Sequence, residues 1–256
     1  MIYESRPVPV VSQHCSQDRG ASPSPHGFRR LVSLAGVLAA TAVILALAAE
    51  TAGAGAFNGG ALPRRDLLER ALASYRRVEG AGLLRTRILT IIDYALPSSQ
   101  RRLWVLDPDR LRVLFHEYVA HGRGSTTDAS PDHAVQFGNE ASSHRSSLGT
   151  FLTGTTYTGK HGHSLELIGL EPGVNDNAME RRIVIHPADY VSAEFRAQQG
   201  GRVGRSWGCP ALDPAVAPAI IDRIQDGSVL YVAGGSTQQL AALPGARTPH
   251  HDPQRR

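Results

Sequence analysis

The chain has 256 residues, 41% hydrophobic and 20% charged, and its 27 lysines and arginines against 23 aspartates and glutamates give a net charge of +4. This length gives room for one good-sized core or at most two small ones. Much of the positive charge lies in arginine pairs without interleaved aromatic residues. That pattern is typical of a solvated surface and argues against a nucleic-acid-binding protein, although a basic surface would suit an anionic polymer or a membrane.

The N-terminal segments predict where the protein resides. Residues 1–30 are polar and are predicted to form an arm, and residues 51–62 are rich in Gly and Ala and are predicted to form a linker. Between them, residues 31–50 hold an uncharged apolar run with arginines before it and small residues after it, which is the pattern of an export signal. The run is also about long enough to span a bilayer, so a cleaved signal peptide and a retained membrane anchor both stay open. We expect the remainder in the periplasm or cell envelope, exported by this segment or anchored by it in the inner membrane.

The exported domain, residues 63–236, is predicted to begin with one amphipathic helix, because Pro63–Val78 carries apolar residues at helical spacing. Short apolar or alternating runs then predict strands at residues 88–96, 102–108, 112–121, 163–170, 181–187 and 228–234. A second short helix is predicted at residues 213–227. Since strands and helices do not alternate strictly, the domain is predicted to be mainly β, and the polar segment 237–256 is predicted to be a disordered tail.

Cysteine usage points to a reactive thiol. The chain has two cysteines, Cys15 and Cys209, and the apolar segment lies between them, so they are not expected to pair. The exported domain then has one unpaired thiol, which is either a small buried hydrophobe or a group kept for its reactivity. Cys209 lies between Gly208 and Pro210, in a turn that lets a ligand approach the backbone and offers N–H groups to an oxyanion. This context favours the reactive thiol.

A reactive thiol needs a base, and histidine is the usual base at neutral pH. The exported domain offers several candidates: His116, His121, His133, His144, His161, His163 and His186. His186 ends the strand-like run RRIVIH and precedes Pro187, so it is predicted to project from a strand end. Spacing alone does not choose His186 over the other histidines.

The residue types of the exported domain also suggest two other catalytic chemistries. His161 and His163 form a His-x-His pair that could bind zinc, with Asp176 or Glu180 as a further ligand or base, but HExxH or a similar spacing is absent. A serine hydrolase is less supported, because no G-x-S-x-G motif is present. The zinc hypothesis therefore stays open as an alternative.

Four segments of the domain resemble the murein L,D-transpeptidases, the YkuD-type catalytic domain, and most closely its YkuD_2 variant. They are VAHGRGS at 119–125, FGNEASSHRSSLGTFLTG at 137–154, the long run 157–191, and GRSWGCPAL at 204–212. The resemblance extends over about residues 88–232. It implies a mainly β fold, a YkuD-like β-sandwich with short helices after the one N-terminal amphipathic helix, and a thiol in a cleft under a loop.

The resemblance also assigns roles in catalysis. It implies that Cys209 is the nucleophile and His186 its base, and it places Ser206 and Gly208 on the serine and glycine of the family's Ser-x-Gly-Cys turn. The thiol is expected as a thiolate paired with imidazolium. Backbone N–H groups of Gly208 and Cys209 are expected to bind the oxyanion, and a backbone carbonyl near Ser206 is expected to orient the imidazole.

This chain departs from the commoner family turn, in which Ser-His-Gly-Cys is followed by an aliphatic residue and Arg. Trp207 stands in place of that histidine, and Pro210-Ala211 in place of the aliphatic residue and the arginine. We therefore expect Arg205 to take over binding of a substrate carboxylate. Trp207 is expected either to form an apolar wall of the cleft or to pack in the core, and His161 is a further candidate for substrate binding.

The activity implied by the resemblance is acyl transfer on peptidoglycan. The thiolate attacks a tetrapeptide stem before its terminal D-alanine, and the acyl group passes to an amine of a neighbouring stem or to water. Peptidoglycan stem peptides are the expected partners, with a protein acceptor as a further candidate, no nucleic acid, and contact with a membrane only through an uncleaved N-terminal segment. No metal or cofactor is required. The alternatives are an L,D-carboxypeptidase that only trims stems, a zinc-dependent peptidoglycan hydrolase using His161 and His163, and an inactive wall-binding module.

Overall fold

A computed structural model describes residues 60–235. The predicted arm, export segment and disordered tail, and nearly all of the predicted linker, lie outside the described residues. The chain divides into two units, Met1–Gly53 and Ala54–Arg256, and the described residues all belong to the second unit. None of the helices within residues 60–235 has the length and apolar character needed to cross a membrane.

Short strands dominate the described part of the chain, with a few helices between them. In chain order the elements are α1 (Arg65–Gly80), β1 (Leu89–Asp93), β2 (Leu103–Asp107), β3 (Arg112–Glu117), β4 (Gly149–Gly159), β5 (Gly162–Gly169), β6 (Val184–Pro187), α2 (Ala193–Gln198), β7 (Ala211–Leu212), α3 (Ala217–Ile224) and β8 (Val229–Ala233). The six predicted strands correspond to β1, β2, β3, β5, β6 and β8, and the two predicted helices to α1 and α3. Strands β4 and β7 and helix α2 were not predicted.

The strands form one eight-stranded sheet in the order β3-β2-β1-β8-β4-β5-β6-β7. Strand β8 lies between β1 and β4 and so joins the first half of the sheet to the second. The β1–β8 and β6–β7 pairs are parallel, and the other neighbours are antiparallel. The predicted mainly β fold, with short helices and one N-terminal amphipathic helix, is confirmed.

Successive side chains of a central strand point to opposite faces of the sheet, as the two-residue period of a strand requires, and both faces are buried. Leu89 and Ile91 of β1 pack in the same cluster as α1, whereas Ile92 packs in the cluster that contains α3. Each fully buried aliphatic side chain of this kind contributes roughly 1.5–3 kcal/mol of burial free energy. The sheet therefore has two covered faces, and β6 and β7 at its far edge carry the candidate site.

Strands β4 and β5 form a hairpin with Lys160 and His161 in its turn. The first residues of β4 are mostly buried, but none of its last five is buried, so the hairpin runs from the core towards solvent. Its pairing with β5 shifts register between Thr153 and Thr156. The turn brings His161 to the neighbouring strand β6.

Candidate active site

The pairing of β6 with β7 brings the expected base next to the expected nucleophile. His186 in β6 pairs with Ala211 in β7, two positions after Cys209. The Cα atoms of His186 and Cys209 therefore lie at most roughly 12 Å apart, which is one spacing between paired strands plus the length of two residues. His186 is only 3% exposed, whereas the thiol is half-buried. Backbone pairing therefore joins two residues that lie far apart in the sequence.

A third segment supports the thiol turn from its other side. Ala120 pairs with Ala211, and Gly122 pairs with Ser206. The backbone N–H of Ser206 donates to the carbonyl of His121 at 2.9 Å, and the N–H of Arg123 donates to the carbonyl of Ser206 at 2.8 Å. The turn is thus fixed between residues 120–123 and β6.

Ser206 closes the turn that carries Cys209. Its hydroxyl donates to the carbonyl of Cys209 at 2.6 Å and accepts the backbone N–H of Gly208 at 3.1 Å. Gly208 has φ +117°, and a Cβ there would lie 2.8 Å from the carbonyl oxygen of Arg145, so only glycine fits. The expected oxyanion role of Gly208 is corrected, because its N–H already bonds Ser206. The N–H of Cys209 makes no hydrogen bond within residues 60–235 and remains a candidate donor.

His186 is oriented by a backbone carbonyl, although not the expected one near Ser206. Its Nδ1 lies 2.8 Å from the carbonyl oxygen of Pro187. Because a carbonyl only accepts, Nδ1 carries the proton and Nε2 is the basic atom. Burial lowers the pKa of His186, His161 lowers it further, and the bond to Pro187 acts in the opposite sense. A lowered pKa leaves the imidazole neutral at pH 7, ready to accept a proton.

The environment of Cys209 favours the neutral thiol. Burial raises its pKa, while the backbone N–H of Val184 and the charge of Arg181 lower it. Its Sγ lies 3.7 Å from the carbonyl oxygen of Arg182, to which the thiol can donate, and among the described residues it makes no hydrogen bond to His186. A raised thiol pKa beside a lowered imidazole pKa gives a neutral pair at rest. The expected thiolate–imidazolium pair therefore stays a prediction, which the burial of both groups opposes.

Arg181 is a residue of the site that sequence reasoning missed. Its guanidinium donates at 2.6 Å to the carbonyl of Arg145 and to the hydroxyl of Ser147, and at 3.0 Å to the carbonyl of Gly138. Its Nη2 would lie 3.3 Å from a Cβ on Gly208. Arg181 and Arg182 form one of the arginine pairs that the sequence predicts to lie on a solvated surface. The signal that could have singled it out is its place in the segment that leads into His186.

The three residues expected to bind substrate, Arg205, Trp207 and His161, lie in three different environments. Arg205 is exposed and donates to the hydroxyl of Thr126 at 2.9 Å, with no described bond to the thiol turn itself. Trp207 is 67% exposed, which excludes the core-packing alternative. The ring of His161 stacks on that of His186, with centroids 4.7 Å apart.

Two clefts open beside the Cys209–His186 pair. One, of about 290 Å³, is lined by Arg182 and Val184, whose backbone meets the thiol, and by Tyr157, Glu166 and Met179. The other, of about 460 Å³, contains His186 and His161, and its remaining wall includes Lys160, Asp189 and Tyr190. Of the expected pair, His186 lines the second cleft, and the first adjoins the thiol only through Arg182 and Val184.

The geometry does not support the zinc alternative. Within residues 60–235 no group of three or more His, Cys, Asp or Glu side chains could share a metal ion. His161 stacks on His186, while His163 bonds Asp222 of α3 at 2.8 Å. The side chain of Asp176 accepts from Asn139 at 2.6 Å. The members of the His-x-His pair therefore face different partners.

Comparisons with known proteins identify one family. The YkuD_2 family model, described as the L,D-transpeptidase catalytic domain, matches residues 63–233. No curated protein matches the chain.

Solved structures give distant similarities. An L,D-transpeptidase from Mycobacterium smegmatis is 15% identical with a TM-score of 0.34, covering 58% of this chain and 59% of that one. L,D-transpeptidase 1 of Mycobacterium tuberculosis is 13% identical with a TM-score of 0.31, covering 58% and 62%. The helical cell shape determining protein Pgp2 of Campylobacter jejuni is 12% identical with a TM-score of 0.39, covering 68% and 58%. In each case the chain spans about three fifths of the solved chain.

Proposed function

Because the chain belongs to the L,D-transpeptidase catalytic-domain family, we propose that it is an exported cysteine acyltransferase that modifies peptidoglycan. The observation that carries the proposal is the pairing of β6 with β7, which sets the imidazole of His186 beside the turn of Cys209. The substrate is a tetrapeptide stem, cleaved before its terminal D-alanine. The apolar segment 31–50 supports export to the periplasm or cell envelope.

The first half of the reaction forms an acyl-enzyme. The thiol proton passes to Nε2 of His186 as Sγ attacks the carbonyl carbon before the terminal D-alanine. The backbone N–H of Cys209 binds the oxyanion, and collapse of the tetrahedral intermediate breaks the C–N bond. The imidazolium then gives its proton to the departing amine of D-alanine, leaving a thioester on Cys209.

The second half transfers the acyl group. An amine of a neighbouring stem attacks the thioester carbonyl and loses a proton to His186, and the departing sulfur takes that proton back to restore the thiol. Water in place of the amine gives a trimmed tripeptide stem. Both outcomes use the same residues, so the acceptor that reaches the thioester decides between cross-linking and trimming.

The neutral resting pair suits this sequence of steps. The imidazole with a lowered pKa is free of a proton at pH 7 and can act as base at once. Charge appears on sulfur only when the proton leaves, and there the nearby guanidinium of Arg181 lowers the pKa of Cys209. Arg181 is accordingly a positioning residue, because its described hydrogen bonds all go to the protein.

Loss of covalent labelling tests the nucleophile. Incubation of the full chain with a carbapenem should give one adduct by intact mass spectrometry, and Cys209→Ala should abolish it. Cys15→Ala is the matched control, because it removes the other cysteine of the chain and should leave the adduct unchanged. An adduct that persists in Cys209→Ala would contradict the proposal, and no adduct in the wild type would favour the inactive wall-binding alternative.

Muropeptide analysis separates the two outcomes of acyl transfer. Sacculi incubated with the protein and then digested should yield dimers joined between the third residues of two stems if the protein cross-links. Accumulation of tripeptide stems without such dimers indicates an L,D-carboxypeptidase that only trims. Unchanged sacculi would contradict both activities.

A further inference from the structure

Trp207 is an exposed aromatic side chain two positions before the proposed nucleophile. At 67% exposure it is the most exposed of the large hydrophobic side chains in the described part of the chain. Two residues of chain limit the distance between the Cα atoms of Trp207 and Cys209 to about 7 Å. The indole is therefore within reach of a substrate that extends beyond the thiol on this side.

The backbone, rather than burial, holds Trp207 in place. Hydrogen bonds of Ser206 to His121 and Arg123 fix the residue before it, and the bond from the Gly208 N–H to Ser206 fixes the residue after it. Gly208 cannot be replaced without a clash against the carbonyl of Arg145. A ring presented by a fixed turn loses little further backbone freedom when a ligand binds, which favours affinity.

Arg123 and His144 accompany the indole. The guanidinium carbon of Arg123 lies 5.2 Å from the ring centroid of Trp207, and the His144 ring centroid lies 4.8 Å from it. Arg123 and His144 are themselves joined by a hydrogen bond of 3.1 Å. A side chain with both faces covered could not keep two thirds of its surface exposed, so one broad face stays open. We call Trp207, Arg123 and His144 the Trp207 platform.

An open aromatic face beside N–H donors fits a pyranose ring. The apolar C–H face of a sugar can pack on the indole, while its hydroxyl and acetamido oxygens accept hydrogen bonds from the guanidinium and imidazole. In peptidoglycan the acyl part of a tetrapeptide stem has three residues, so the sugar begins at most roughly 10 Å from the scissile carbonyl. That span matches an indole that starts within about 7 Å of the Cys209 backbone and extends outward.

We propose that the Trp207 platform binds the sugar that carries the stem peptide being cleaved. The inference rests on the proposed function, since the stem must already occupy the thiol. Its consequence is specificity: stems still attached to glycan are processed in preference to free peptides. Trp207 then contributes to recognition of the wall polymer, while His186 and Cys209 carry the chemistry.

The test compares two substrates that differ only in the sugar. Release of D-alanine by the full chain is measured with a disaccharide-tetrapeptide and with the free tetrapeptide. Trp207→Ala should lower kcat/KM for the first substrate about tenfold, mainly through KM, and change the second less than about twofold. Trp207→Phe should keep most of the preference. Leu83→Ala, which removes an exposed apolar side chain three residues after α1, should change neither.

Equal losses with both substrates would assign Trp207 to support of the thiol turn and overturn the proposal, and no loss with either would do the same. Fluorescence separates this outcome from failure of the proposed function. The chain has two tryptophans, and Trp104 is buried, so a peptide-free disaccharide of N-acetylglucosamine and N-acetylmuramic acid should change emission through Trp207 even if no D-alanine is released. The change should disappear in Trp207→Ala. A response to polyglycerol phosphate but not to the disaccharide would overturn the proposal.

Discussion

Burial shifts the pKa of both Cys209 and His186, although the thiol is only half-buried. Burial raises the pKa of the thiol and lowers that of the imidazole, so desolvation opposes a resting ion pair at both residues. The opposing influences on the thiol are local, namely the N–H of Val184 and the guanidinium of Arg181. The pKa of the thiol therefore depends on groups outside the Ser-x-Gly-Cys turn.

Removing the charge of Arg181 should make the thiol harder to ionise. In Arg181→Gln the pKa of Cys209 should rise further, and alkylation by iodoacetamide at mildly alkaline pH should slow about three- to tenfold. The measurement is the pH dependence of the alkylation rate in the full chain carrying Cys15→Ala. Arg181→Lys keeps the charge and should retain most of the rate.

Arg205→Gln is the matched control for this prediction, because Arg205 is an exposed arginine bonded to Thr126. It should leave the alkylation profile unchanged. Equal slowing in both glutamine variants would show that net surface charge, rather than the position of Arg181, sets the thiol pKa. Such a result would remove Arg181 from the site.

At the scale of elements, the sequence predicts those that bury apolar side chains in a regular period. Strands β1, β2 and β8 and helices α1 and α3 all do so. Strand β4, GTFLTGTTYTG, was missed because it is rich in Gly and Thr and because its second half is not buried. Its stability comes from pairing with β5 and β8. A pattern within residues 149–159 cannot reveal these contacts, because they depend on other strands.

The candidate site likewise contains features that depend on contacts with other segments and cannot be predicted from local sequence. The resemblance supplied Cys209, His186, Ser206 and Gly208, and the structure brings them together. The roles of Arg181 and Pro187 could not be read from the sequence, because one depends on hydrogen bonds to residues 138–147 and the other on the rotamer of His186. Arg205 was expected to replace the family's arginine as a ligand of the substrate carboxylate, because it lies close to Cys209 in the sequence. In the structure its side chain donates to the hydroxyl of Thr126.

The β4–β5 hairpin influences the proposed base, His186, through His161. Burial, to which stacking of His161 contributes, lowers the pKa of His186, and electrostatic repulsion from His161 lowers it further. In His161→Ala both influences are lost, so the pKa of His186 should rise towards the usual value of about 6.5. Because only neutral His186 can act as base, the acid limb of carbapenem acylation should move to higher pH, with loss of rate near pH 6 and little change near pH 8.

His163→Ala is the control for the hairpin, since His163 lies on the same hairpin but bonds Asp222. It should leave the pH profile unchanged. A uniform loss of rate at every pH in His161→Ala would contradict an effect on the pKa and would indicate a role in substrate contact alone.

At the scale of the whole molecule, a buried cation joins the sheet to the thiol turn. Arg102 is 0% exposed and donates to the carbonyls of Leu96 and Val119. Its Nη2 also donates to Nδ1 of His121 at 2.7 Å. The carbonyl of His121 in turn accepts from Ser206. This arrangement requires a neutral His121, because a protonated Nδ1 could not accept from Arg102.

Acid should therefore destabilise the fold through His121. Burial, together with the charge of Arg102, lowers its pKa to about 3, whereas in the unfolded chain it is about 6.5. The unfolded state binds the proton first, so this contribution to stability is complete above pH 6.5 and is lost as the pH falls towards 3. Between pH 7 and pH 4 the loss is on the order of 3 kcal/mol.

Urea unfolding at both pH values should show a smaller difference for His121→Asn, whose amide oxygen can still accept from Arg102. His163→Asn, at a histidine bonded to Asp222 on the β4–β5 hairpin, should behave as wild type in this comparison. An identical pH dependence in His121→Asn and wild type would mean that the acid sensitivity arises elsewhere in the fold.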